Sequence, residues 1–138
     1  MFCLAPLLLA GYMMTVSPFG HSSPNENGVI VELQTCERGA GGHVRASSSG
    51  LYALGLQYGI GTEFGPISLT FQPRAGFSHV DHENRNLPLG TQFELGGQML
   101  VGYDRYRFAV DYWHLSNAGI KKPNLGMDTF SVMVGVAF

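Results

Sequence analysis

Asp111–Asp128 reads DYWHLSNAGIKKPNLGMD. Two strands with a period of two flank a loop here. Before the loop, Tyr106, Phe108, Val110 and Tyr112 form one face, with Arg107, Ala109 and Asp111 on the other. After it, Phe130, Val132, Val134, Val136 and Phe138 alternate with Ser131, Met133, Gly135 and Ala137. If the pair folds as an antiparallel hairpin, setting Tyr112 against Phe130 matches apolar face to apolar face. That register also sets His114 opposite Asp128. A slip of one residue would turn the wrong face of the strand, so the register is strongly specified. Ser116 lies two residues beyond His114, on the same face. A hydroxyl, an imidazole and a carboxylate therefore converge at the strand end, on the apolar side of the sheet. In a soluble protein that side is the core; in a membrane barrel it faces lipid.

The alternation continues upstream. In Gly50–Phe64, Tyr52, Leu54, Leu56, Tyr58 and Ile60 oppose Ala53, Gly55, Gln57, Gly59 and Gly61. Gly65–Pro66 turns the chain into a strand in which Ile67, Leu69, Phe71, Ala75 and Phe77 oppose Ser68, Thr70, Gln72, Arg74 and Gly76. Pro73 lacks a ladder donor and marks a bulge or local break. Asp81–Gly90 is a polar loop. Its His79, Asp81, His82 and Glu83 neighbourhood lacks the spacing of a closed metal site, so no metal is expected. Thr91–Tyr103 is the next strand, and Asp104–Arg105 turns back into the strand carrying His114. Nearer the N-terminus, Val29, Val31 and Leu33 alternate with Ile30, Glu32 and Gln34, giving a sixth strand. Glu37–Ser49, rich in glycine and serine, is expected to be a loop with at most a short strand around Val44, its His43 and Arg45 solvated. Residues 1–20 read as a signal peptide, because Met1–Val16 is an apolar run too short for a comfortable membrane helix, or else as an atypical N-terminal segment such as an uncleaved strand. Residues 21–138 then form the single folded domain.

Composition agrees with this frame. Only 13% of the 138 residues are charged and the net charge is −2, which argues against nucleic acid as a partner. Nineteen glycines and 12% aromatics suit close-packed strands with aromatic girdles. Loss of Cys3 with a leader would leave Cys36 alone, with no intramolecular disulfide. The turns at Phe64–Pro66 and Asp104–Arg105 are short, whereas the connections over Glu37–Ser49, Asp81–Gly90 and Asn117–Met127 are longer. Alternating short and long connections characterise outer-membrane barrels, with tight periplasmic turns and longer external loops. Glu94, Gln98, Arg107, Asp111, Arg74 and Gln72 lie on the polar faces, where a barrel interior would let them pair.

The run of His114, Ser116, Asn117, Ala118, Gly119, Lys121, Pro123, Asn124 and Gly126, followed by an acid and a closing strand, resembles the lipid A 3-O-deacylase family (PagL-type outer-membrane hydrolases). A looser strand pattern extends the resemblance over Gly50–Phe138. It implies an all-β, antiparallel, up-and-down transmembrane barrel of eight strands, two more than the six read above. Residues 4–16 and 43–48 are the candidates for the missing two. It also implies a serine esterase of the Gram-negative outer membrane that removes the ester-linked 3-hydroxyacyl chain at position 3 of lipid A. In that role Ser116 is the nucleophile, His114 the base and Asp128 the third member, where the family usually has Glu. Asn117, the backbone around Ala118–Gly119, and Asn124 are expected to serve the oxyanion or the loop. Lys121 and Lys122 are candidates for substrate phosphate. The expected partners are lipopolysaccharide and outer-membrane lipids, with a homodimer left open and no cofactor or metal required. The alternatives are a small outer-membrane barrel with a structural or adhesive role and, less favoured, a soluble barrel with its apolar faces turned inward around a lipid.

Overall fold

The computed structural model describes residues 6–16, 26–84, 90–121 and 125–138. Eight antiparallel strands close into one barrel in sequence order. They are β1 (Leu7–Val16), β2 (Gly28–Gln34), β3 (Gly39–Ser47), β4 (Leu51–Phe64), β5 (Ile67–Val80), β6 (Thr91–Tyr103), β7 (Tyr106–Ser116) and β8 (Met127–Ala137). Closure leaves no sheet edge unpaired and sets each strand's backbone against neighbours on both sides, which a spanning sheet requires in lipid.

The faces divide as the alternation demands. Leu54, Leu56, Tyr58, Ile60, Phe71, Phe77, Leu95 and Phe108 point outward and are exposed. Glu32, Gln34, Gln57, Gln72, Arg74, Glu94, Gln98 and Asp111 point inward and are buried. An apolar belt outside a polar interior is the arrangement of a membrane barrel and the reverse of a soluble lipid carrier. An eight-stranded barrel has room inside for side chains and little else.

The two strands beyond the six come from the stretches named as candidates, residues 4–16 and 43–48, although each also carried another reading. Leu7–Val16, read as the apolar run of a leader, is β1 and pairs with both β2 and β8. Its inward Leu7, Leu9 and Met13 are fully buried, while Leu8, Tyr12 and Met14 face out. Both faces are apolar, so no alternation was visible. The segment read as one loop, Glu37–Ser49, is mostly strand β3. It splits into a turn after β2 and a tight hairpin at Ser48–Gly50, with Gly50 at φ +85°. Gly39, Gly41 and Gly42 carry no side chains to reveal a face, and the inward pair His43 and Arg45 mimics a solvated loop.

That pair is buried, not solvated. His43 Nε2 lies 3.1 Å from Glu94, and Arg45 lies 3.5 Å from both Glu94 and Asp111. The Arg45 guanidinium also stacks 3.6 Å from the Trp113 ring centre. Beside them Arg74 pairs with Glu32 at 2.8 Å, and Gln34 and Gln98 knit the two ion pairs together. Arg45 thus balances two interior carboxylates contributed by β6 and β7. Arg45→Met is expected to cost about 3–5 kcal/mol, because it removes the ion-pair partner of buried Asp111 and leaves Glu94 with only His43 and Ser78. Chemical unfolding of the detergent-folded barrel, followed by heat-modifiable gel mobility, measures this. A midpoint equal to wild type would show that the acids need no such partner.

Candidate active site

The end of the barrel bearing the start of β8 also bears the connections over residues 17–27, 81–90 and 117–126. The opposite end has the tight turns at Gly65–Pro66 and Asp104–Arg105. By the usual asymmetry the first end is external. Two of its connections are clasped together there. His82 bonds Asp81 at 3.0 Å and Glu26 at 2.8 Å, and Asn84 also donates to Glu26 at 2.7 Å. These bonds, that to Asp81 foremost, raise the His82 pKa above the ordinary histidine value. Among the described residues, no group of three or more His, Cys, Asp or Glu is placed to hold a metal ion.

The β7–β8 ladder has the register read from the sequence: Tyr112 opposite Phe130 and His114 opposite Asp128. His114 stands on the outer, apolar face with about half its side chain exposed, and its Nδ1 lies 2.8 Å from Asp128 Oδ1. With Nδ1 engaged by the carboxylate, the ring presents Nε2 as its second nitrogen. Ser116 closes β7 on the same face, one strand period further toward the rim, and is partly exposed. Gly126, at φ +68°, lets the returning loop lie against this ring. A Cβ there would come within 3.0 Å of His114 Cε1.

The loop after Ser116 is ordered by Asn117. Its Oδ1 accepts the Gly119 N–H at 2.9 Å, and its Nδ2 donates to the Lys121 carbonyl at 2.7 Å. Ala118 and Gly119 follow with φ of 52° and 81°, a left-handed step that reverses the chain. In this state the Gly119 N–H and the Asn117 amide serve the loop itself. Ala118 and Lys121 are exposed. Asn124 and Lys122 lie outside the described residues.

Sequence reading missed Tyr112, taken there as one more apolar-face residue. Its hydroxyl donates to Asp128 Oδ1 at 2.8 Å, the oxygen that also faces His114. The signal was available, since Tyr112 precedes His114 by one strand period on the same face. Glu94 and Asp111 face inward, away from the rim.

The lipid A 3-O-deacylase (PagL) family profile matches residues 24–137. The chain belongs to this family. Among solved structures, the crystal structure of the outer membrane enzyme PagL superposes with a TM-score of 0.60 at 15% identity, covering 96% of this chain and 98% of that one. Neisserial surface protein A gives 0.55 at 14% identity, with 96% and 94% covered. The Yersinia pestis outer membrane protein Ail gives 0.54 at 13% identity, with 97% and 99% covered. At these identities the structural matches speak for the barrel, and the profile speaks for the deacylase family. No curated protein matches the chain by sequence. As a deacylase-family barrel with a polar interior and an apolar belt, the chain is a Gram-negative outer-membrane protein.

Proposed function

We propose that this family member is a serine esterase that removes the ester-linked 3-hydroxyacyl chain from position 3 of lipid A. The observation that carries the reading is the His114–Asp128 pair, 2.8 Å apart on the lipid-facing rim, with Ser116 one strand period away. An imidazole and a carboxylate facing hydrocarbon are costly and call for a use.

His114 Nε2 takes the Ser116 proton as Oγ attacks the acyl carbonyl, and later returns it to the departing sugar hydroxyl. Water then attacks the acyl-enzyme by the same route and releases the fatty acid. Asp128 holds the ring with Nδ1 as donor and stabilises the imidazolium. The tetrahedral intermediate needs donors. Asn117 Nδ2 becomes one by exchanging the neutral Lys121 carbonyl for the oxyanion, since a charged acceptor makes the stronger bond. Lys121 and Lys122 supply positive charge near the substrate phosphates. Asn124 keeps the part the resemblance implies, service to the oxyanion or the loop.

The wall beside the site suits an acyl chain. Small Ala75 leaves an apolar groove of about 520 Å³ flanked by Leu54, Leu56, Phe77, Phe93 and Leu95. Two of these sit directly across the ladder from the site: Leu95 opposite His114 and Phe93 opposite Ser116. A chain in this groove brings its ester to the rim without leaving the bilayer.

Mass spectrometry of lipid A from Gram-negative cells with and without the protein tests the reading. The expected result is loss of one ester-linked 3-hydroxyacyl group on expression. Lipid A of unchanged mass in cells holding folded barrel would refute it.

A further inference from the structure

We infer that Tyr112 is a positioning residue of the site, holding the short Asp128 side chain where it can orient His114. The inference rests on the esterase reading of Ser116, His114 and Asp128. Tyr112 and Asp128 are diagonal neighbours across the β7–β8 ladder, since Tyr112 faces Phe130 and His114 faces Asp128. Diagonal pairs are within reach of a long side chain. The Tyr112 hydroxyl spans that gap and donates to Oδ1 at 2.8 Å, while His114 Nδ1 approaches the same oxygen at 2.8 Å from the other side. One carboxylate oxygen is thus held between two groups.

Asp needs this more than Glu would. Its carboxylate reaches about 1.5 Å less far from the strand. With fewer bonds to turn, it meets His114 over a narrow range of side-chain angles, and a second partner on the shared oxygen fixes that range. The alternative is a girdle tyrosine whose hydroxyl merely finds a partner in apolar surroundings. The two roles respond differently to removal of the hydroxyl.

Tyr112→Phe keeps the ring and loses only the oxygen. In detergent-folded protein, kcat for lipid A is expected to fall about tenfold with KM unchanged. Labelling of Ser116 by a fluorophosphonate should slow in parallel. In the Asp128→Glu background, where the longer side chain reaches the imidazole unaided, the same substitution should change kcat by less than about twofold. Wild-type kcat and labelling rate in Tyr112→Phe would overturn the inference. So would an equal fall in both backgrounds, or an effect confined to KM. A wild-type protein that labels with fluorophosphonate but leaves lipid A intact refutes the substrate reading alone, and the labelling rates still judge Tyr112. Should the wild type do neither, the esterase reading fails, and the His114 Nδ1 proton resonance in micelles decides: unchanged by Tyr112→Phe, it overturns the inference; shifted, it supports it.

Discussion

Ser116→Ala is expected to reduce lipid A deacylation by a factor on the order of 10⁴ or more, leaving only what binding and oxyanion donors supply without a nucleophile. The barrel should be untouched. Ser116 is the last residue of β7, partly exposed, and its ladder partner is Phe93 at the start of β6. A serine-to-alanine change at such a rim costs within about 0.5 kcal/mol. Heat-modifiable mobility should therefore match wild type while the lipid A mass stays that of the fully acylated form. Wild-type turnover in the alanine variant would remove Ser116 from the mechanism.

Asp128→Asn should cost on the order of 10² in rate. Loss of the carboxylate in a protease triad costs about 10⁴, because the imidazole loses its tautomer and the imidazolium its counter-charge. The smaller figure reflects the place of this site. His114 is about half exposed, and water at the rim partly substitutes for the acid. Asp128→Glu restores the residue usual in the family and should retain activity. Deacylation rates of both variants in detergent micelles, with folding checked in parallel, are the measurement. A folded Asp128→Asn barrel as fast as wild type would refute the role. Glu94 and Asp111 could not then stand in, because both face the interior and are committed to Arg45.

The hairpin that carries the site was legible because its strands alternate strictly. Parity alone set Tyr112 against Phe130, and with it His114 against Asp128. The long strands β4 to β6 were legible for the same reason, and their outward apolar faces and inward charges lie as read. Alternation says nothing where both faces are alike. In β1 the inward Leu7, Leu9 and Met13 pack an apolar patch of the interior against Ile30 and Met133, so the strand looks like an apolar run of another kind. In β3, Gly39 and Gly41 on the inward face and Gly42 on the outward one leave the first half without a pattern, and His43 and Arg45 gave no hint that Glu94 and Asp111 wait across the lumen. At the site, the His114–Asp128 pairing was legible in the register, but the Tyr112 hydrogen bond was not. A tyrosine on an apolar face reads as a hydrophobe until its hydroxyl is seen to meet an acid. The Asn117 amide, expected to serve the oxyanion or the loop, closes its own loop through Gly119 and Lys121.

The outward rim position of His114 and Asp128 also sets the dimensionality of the reaction on the proposed mechanism. Substrate reaches these side chains by lateral drift within one leaflet, whereas the hydrolytic water comes from above. Encounter frequency then scales with the surface fraction of lipid A in the leaflet or micelle, not with its amount per litre. Adding inert detergent at constant lipid A would slow the enzyme by diluting the surface alone. In a cell the same geometry restricts hydrolysis to lipids sharing a leaflet with the rim, so the orientation of the barrel is itself a selector of substrate.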